Sequence, residues 1–164
     1  MNGFVSTPPA PASPEGSAVT ADGWFPDTDV NSLRDTIRIG EGVVTNPRLV
    51  AAIEGAILTA FRALGTWRSA HAAAGVAALA DVPCDQINGR PAAVLIWERI
   101  IRNYAAAEIA DLHRDVSATD LGNQRADSER LTADDYRRLG HAAVADMLSI
   151  GADLPVSRNR VELI

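Results

Sequence analysis

Residues 46–74, NPRLVAAIEGAILTAFRALGTWRSAHAAA, decide the fold. Asn46-Pro47 is a helix-start signal, because an N-cap residue precedes a proline whose missing N–H costs nothing at the first helical position. From there Val50, Ile53, Ile57, Phe61, Leu64, Trp67 and His71 recur three and four residues apart. That spacing is one apolar stripe on a rod of about 28 residues and roughly 42 Å, ending at about Ala74 before Gly75. Gly55 and Gly65 interrupt the rod without capping it, as expected at close helix contacts or a bend.

The segments on either side repeat the helical period. Residues 75–90 read as a connector, in which Asp81-Val82-Pro83 opens a short turn carrying Cys84 and Ile87 and Asn88-Gly89 closes it. A second long helix is expected from near Pro91 to about Asp115. Its stripe is Val94, Trp97, Ile101, Tyr104, Ile109 and Leu112, and Leu95, Ile96 and Ile100 widen it so far that this helix must be central. Residues 116–130 are polar and read as a loop or a charged helical extension. Thr132 and Asp135 stand at capping-box spacing, and a third helix follows to Ile150 before Gly151, with Tyr136, Leu139, Ala143, Met147 and Ile150 as its stripe. Upstream, a short helix is expected over about Asp29–Ile37, with Leu33 and Ile37 four apart.

No sustained alternation of period two appears, so the expected fold is all-α. It is an up-and-down bundle of three long helices and one or more short ones, with extended arms. Ala51, Ala52, Ala56, Ala60, Ala105, Ala106, Ala107, Ala142 and Ala143 permit close helix approach and favour helix. The chain divides into a proline-rich arm over residues 1–23, a bundle over 24–151 and an extended arm over 152–164. In the first arm Pro8, Pro9, Pro11 and Pro14 alternate with small residues that cannot offset their own ordering entropy. Trp24 and Phe25 beside Pro26 either staple the short helix to the domain or anchor a second chain. At the far end Val161 and Leu163 alternate with Arg160 and Glu162, as in a half-buried strand with no sheet to join. That pattern fits an arm docking on a neighbour by strand addition, or chance alternation in a frayed tail. Thirteen extended residues reach about 43 Å.

Composition narrows the function. Hydrophobic residues make up 47% of the 164, aromatics only 5%, and alanine occurs 29 times, so the core is aliphatic and small. All 15 basic residues are arginine, against 21 acidic ones, and the net charge of −6 argues against binding nucleic acid by phosphate neutralisation. The absence of lysine fits a GC-rich coding bias. The single Cys84 excludes an internal disulfide framework and fits a reducing compartment. No signal peptide is read at the N-terminus, and no run is expected to approach the roughly 18 apolar residues of a membrane span, so no membrane partner is expected.

The chemistry-bearing residues form no catalytic pattern. His71, His113 and His141 fall on three different expected helices without an HExxH arrangement, so no metal site is expected. Cys84 beside Asp85 lacks a paired base and reads as a small, partly buried thiol. Gly40-Glu41-Gly42 lacks the preceding strand and third glycine of a phosphate loop and reads as a turn. Glu98 with Arg102 is an i,i+4 pair, and with Asp111 and Arg114 on the same helix it reads as a solvated or interface face; Asp134-Asp135 read as first-turn acids that favour the helix dipole, beside the surface arginines Arg137-Arg138. No catalytic residue, cofactor or enzymatic activity is expected.

Four ordered segments carry a resemblance: Ala21-Asp22-Gly23-Trp24-Phe25-Pro26-Asp27; Leu79-Ala80-Asp81-Val82-Pro83; Arg125-Ala126-Asp127 followed by Thr132-Ala133-Asp134-Asp135-Tyr136-Arg137-Arg138; and Val161-Glu162-Leu163-Ile164. In these the chain resembles the head completion protein (GpL-type) family of contractile-tailed phages. The resemblance implies a virion protein at the head–tail junction, made in the host cytoplasm, that forms a connector or adaptor ring, commonly a dodecamer, beneath the portal. Such a ring retains the genome and gives a platform for tail completion or terminator proteins, with DNA passing through the channel without specific binding. On this reading Trp24 and Phe25 anchor the N-terminal segment on a neighbouring subunit or the bundle, and Arg158, Arg160, Val161, Glu162, Leu163 and Ile164 dock the terminal arm on the portal or an adjacent subunit. The alternative from the residues alone is a small cytoplasmic helical regulator that binds one partner through its long helix.

Overall fold

A computed structural model describes residues 13–37, 44–117 and 131–158, and the side chains of residues 113–117 lie outside that description. Among the described residues there are four α-helices: α1 (Val30–Thr36), α2 (Asn46–Ala73), α3 (Ala92–Ser117) and α4 (Ala133–Leu148). Two antiparallel strand pairs accompany them, β1 (Ala18–Val19) with β2 (Thr28–Asp29) and β3 (Gln86–Ile87) with β4 (Arg90–Pro91). The fold is mostly helical, as expected, with two small strand pairs besides. Asn88 and Gly89 both adopt positive φ, +50° and +71°, as a two-residue hairpin turn requires. The connector therefore closes as a hairpin rather than an open loop.

Helix α3 packs along both α2 and α4, which barely meet each other. Its central position follows from burial on several sides: Trp97, Ile100, Ile101, Tyr104, Ala105, Ala107 and Ile109 are all buried. Leu112, expected in that stripe, is 50% exposed. The buried face of α2 is Leu49, Ala52, Ile53, Ala56, Ile57, Ala60 and Leu64, whereas Val50, Phe61, Trp67 and His71 are only partly buried. Small residues take the most crowded positions. The helix begins one residue differently from expectation, with Thr45 at the N-cap and Asn46 already helical.

Gly55 and Gly65 play different parts. A Cβ on Gly55 would overlap the Glu108 carboxylate of α3, so this glycine marks a close approach. A Cβ on Gly65 would meet nothing within 4 Å. Gly65→Ala is therefore expected to raise stability by about 0.5–1 kcal/mol, through helix propensity alone, measured by thermal or denaturant unfolding.

One further expectation is corrected. Helix α2, 28 residues long, is apolar enough over an 18-residue window to cross a membrane by length and composition. Core helices of water-soluble proteins pass the same test, and α2 puts seven buried residues into the bundle core. Its many alanines contribute to that apolarity.

The segment before Trp24 is bonded to the body. The Ser17 carbonyl accepts from Val30 N–H at 2.9 Å, Asn31 Nδ2 donates to the Pro14 carbonyl at 3.0 Å, and Val19 is buried. Residues 13–23 thus belong to the folded body, held by backbone pairing that composition alone does not show. Residues 1–12, and Gly40-Glu41-Gly42, lie outside the described residues.

Helix α4 starts as expected. The Thr132 hydroxyl accepts from Asp135 N–H at 3.2 Å, and the Asp135 carboxylate accepts from Thr132 N–H at 2.9 Å. The Thr132 side-chain and backbone bonds, with Arg138, hold the Asp135 carboxyl down at about 2. A carboxyl lowered on folding stabilises the fold above its ordinary pKa and loses that contribution as pH falls towards 2. Thr132→Ala is expected to return Asp135 towards the ordinary carboxylate range in an NMR titration and to lower the melting temperature. The helix ends at Leu148, two residues before Ile150, and the turn runs to Gly151 at φ +77°.

Candidate functional site

The segment Ala21–Asp27 is heavily hydrogen-bonded. Asp22 Oδ1 accepts from the N–H groups of Trp24, at 3.1 Å, and Phe25, at 3.0 Å, and Gly23 sits at φ +81°, where glycine is unstrained. This tight turn delivers both rings inward. Phe25 stacks on Trp97 of α3 at 4.2 Å and on Phe61 of α2 at 5.4 Å between centroids. Trp24 meets Phe25 edge-on at 4.8 Å and Trp67 at 6.0 Å.

Each indole N–H finds a carbonyl. Trp24 donates to Val76 at 3.0 Å, Trp67 to Ile150 at 3.2 Å and Trp97 to Pro26 at 3.2 Å. Leu79 N–H donates to the Trp24 carbonyl at 2.8 Å, and Arg68 pairs with Asp22 at 3.0 Å while lying 5.8 Å over the Trp24 ring. One short segment thereby fastens α2, α3 and the connector between them, while Trp67 ties in the turn after α4.

Trp24 and Phe25 are 6% and 2% exposed. Of the two readings of this pair, the burial fits the staple: their surface is taken up inside their own subunit. Their partners Phe61, Trp67, Arg68 and Trp97 were not linked to them in the sequence. The signal was the scarcity of aromatics, since three tryptophans and two phenylalanines gather here.

The α3–α4 seam brings together the ionisable side chains of Tyr104, Asp111, Arg137 and His141. Tyr104 OH and His141 Nδ1 are 3.0 Å apart, and burial pushes the Tyr104 phenol up to about 12. A phenol raised on folding contributes below its ordinary value near 10, and the contribution is lost as pH climbs towards 12. Burial also raises the Glu108 carboxyl, against the lowering effect of Arg137 and with a smaller raising effect from Asp111. Arg137 is bonded to both Asp111 and Asp134, and Arg138 to Asp135. Glu98 pairs with Arg90 of the hairpin instead of the expected Arg102, because the hairpin brings that guanidinium alongside α3. Among the described residues no group of three or more metal-ligating side chains converges. Cys84 is partly buried.

After Gly151 the chain turns back along α4. Val156 N–H donates to Ser149 Oγ at 2.8 Å, and Arg158 Nε reaches Asp146 Oδ1 at 2.7 Å, while Leu154 is 80% exposed. Of the expected docking residues only Arg158 is described, paired within its own chain; Arg160, Val161, Glu162, Leu163 and Ile164 lie outside the described residues. The Arg125-Ala126-Asp127 segment also lies outside them.

A helical body with an aromatic staple and a partly tethered terminal arm is the build on which the comparisons bear. Residues 19–164 match the phage head completion protein (GPL) family. The chain belongs to that family and is a structural virion protein of head completion. It is 35% identical over 122 residues to the head completion/stabilization protein of Escherichia phage P2, an alignment covering 74% of this chain and 72% of that protein. No solved structure matches the chain.

Proposed function

We propose that this chain is a non-enzymatic connector subunit that assembles as a ring, a dodecamer by family resemblance, beneath the portal of the DNA-filled head. The ring contacts the portal on one side and tail completion or terminator proteins on the other, which places it at the head–tail junction. The observation that carries this reading is the family match over residues 19–164, which takes in the helical body and the terminal arm together. The net charge of −6 supports it physically. An acidic wall repels phosphates, so DNA passes a channel of this protein without adhering, where a basic wall would retain it.

The terminal arm supplies the docking element of the proposal. Deleting residues 158–164 is expected to leave the helical circular dichroism spectrum and melting temperature nearly unchanged, since the ion pair it removes is exposed. The same deletion is expected to abolish attachment to purified portal rings in a co-sedimentation assay. Undiminished attachment would remove the arm from the docking role. The regulator alternative predicts a low-order complex with one partner, whereas the connector gives assemblies of one uniform symmetry by electron microscopy.

A further inference from the structure

Three charged side chains on α3 lack a hydrogen-bonded or ion-paired partner among the described residues. Glu108 is partly buried beside Gly55, and Arg137, the cation acting on it, is already bonded to Asp111 and Asp134. Burial there holds its carboxyl above the ordinary range. Arg99 is exposed and Arg102 partly so, and Glu98, one helical turn from Arg102, is taken by Arg90.

The helix places these charges on different sides. At about 100° per residue, Arg99 lies roughly 180° and Arg102 roughly 120° around α3 from Glu108. Leu112, one turn beyond Glu108, is 50% exposed, and the partly buried Leu95 falls between the two arginines in angle. Each side therefore joins an apolar side chain to a charge without a bonded partner among the described residues, and the two charges are opposite.

We infer that copies of this chain join head to tail through α3, with Arg99 and Arg102 of one copy set against Glu108 and Leu112 of the next. An isologous dimer needs complementary groups on one face; groups on nearly opposite faces generate a repeating heterologous contact, which closes into a ring when the rotation allows. A partly buried carboxylate gains more from an arriving cation than an exposed one, because water screens the pair less. Arginine's planar fork can meet that carboxylate with two parallel bonds. The inference rests on the ring reading above and names the contact that builds it.

A charge-swap experiment on the full chain tests it. Arg99→Glu/Arg102→Glu and Glu108→Arg are purified separately, checked for folding by circular dichroism, and mixed with portal rings. Leu112→Arg replaces Glu108→Arg if the latter unfolds. Assembly is read by sedimentation and electron microscopy. Each variant alone is expected to lose ring assembly, by at least tenfold in apparent affinity, and an equimolar mixture of the two is expected to restore it as an alternating ring. Rings formed by both variants as readily as by the wild type would overturn this contact while leaving the ring reading intact. A wild-type chain that forms no ring would overturn both.

Discussion

Replacing Phe25 with alanine is expected to lower stability by about 3–5 kcal/mol, the range for emptying a well-packed aromatic site. At the ~2–4 °C per kcal/mol usual for a chain of this size, the melting temperature should fall by roughly 6–20 °C. The ring is 2% exposed and lies against Trp24, Phe61 and Trp97, so its removal strips contacts from three other aromatics at once. The neighbours cannot collapse into the gap easily, because the Trp24 and Trp97 N–H groups are fixed to the Val76 and Pro26 carbonyls. The measurement also decides between the two roles considered for Phe25. A docking ring would leave the isolated subunit's melting temperature unchanged and weaken assembly alone. Leu58→Ala is the control, since a side chain 67% exposed should shift stability by no more than about 0.5 kcal/mol in the isolated subunit.

The same residues show what the sequence makes legible. Periodicity located the three long helices and the Thr132–Asp135 cap because those signals are local: each partner lies within four residues of the next. The aromatic staple was legible as a segment but not as a contact, since Phe25 finds Phe61 and Trp97 only after two helices have come together. The core face of α2 was drawn through its large residues, yet Ala52, Ala56 and Ala60 occupy it, because crowding selects small side chains there. The β3–β4 hairpin has two residues per strand, too few for an alternation to register, although Asn88-Gly89 is the turn pair such hairpins favour. Glu98 had a good i,i+4 partner in Arg102 and found Arg90 instead, a choice set by the hairpin and not by helix spacing. The docking role of residues 158–164 rests on resemblance, since residues 159–164 lie outside the described residues.

Gly140→Ala tests the other crowded point, and here steric cost is expected to outweigh propensity. A Cβ on Gly140 would lie 2.6 Å from Cε1 and 2.8 Å from Cδ1 of the Tyr104 ring, distances that real Cβ atoms essentially never show. The ring has little room to retreat, being 5% exposed and held through its hydroxyl by His141. Overpacking of this kind costs about 1–3 kcal/mol, and Gly140→Val should cost more. Alanine's helix propensity returns only about 1 kcal/mol, so a net loss is expected where Gly65→Ala, in open space, gives a gain. Gly55→Ala separates the cases further. Its new Cβ meets only the carboxylate end of Glu108, which can rotate away, so a small stability change is expected together with a fall of the Glu108 carboxyl towards its ordinary range as it reaches solvent. Combining Gly140→Ala with Tyr104→Leu should cost less than the two single changes added together, because the smaller side chain yields the space the new methyl needs. Strict additivity, or a Gly140→Ala chain as stable as Gly65→Ala, would mean that α4 does not approach α3 as closely as the Tyr104–Gly140 contact requires.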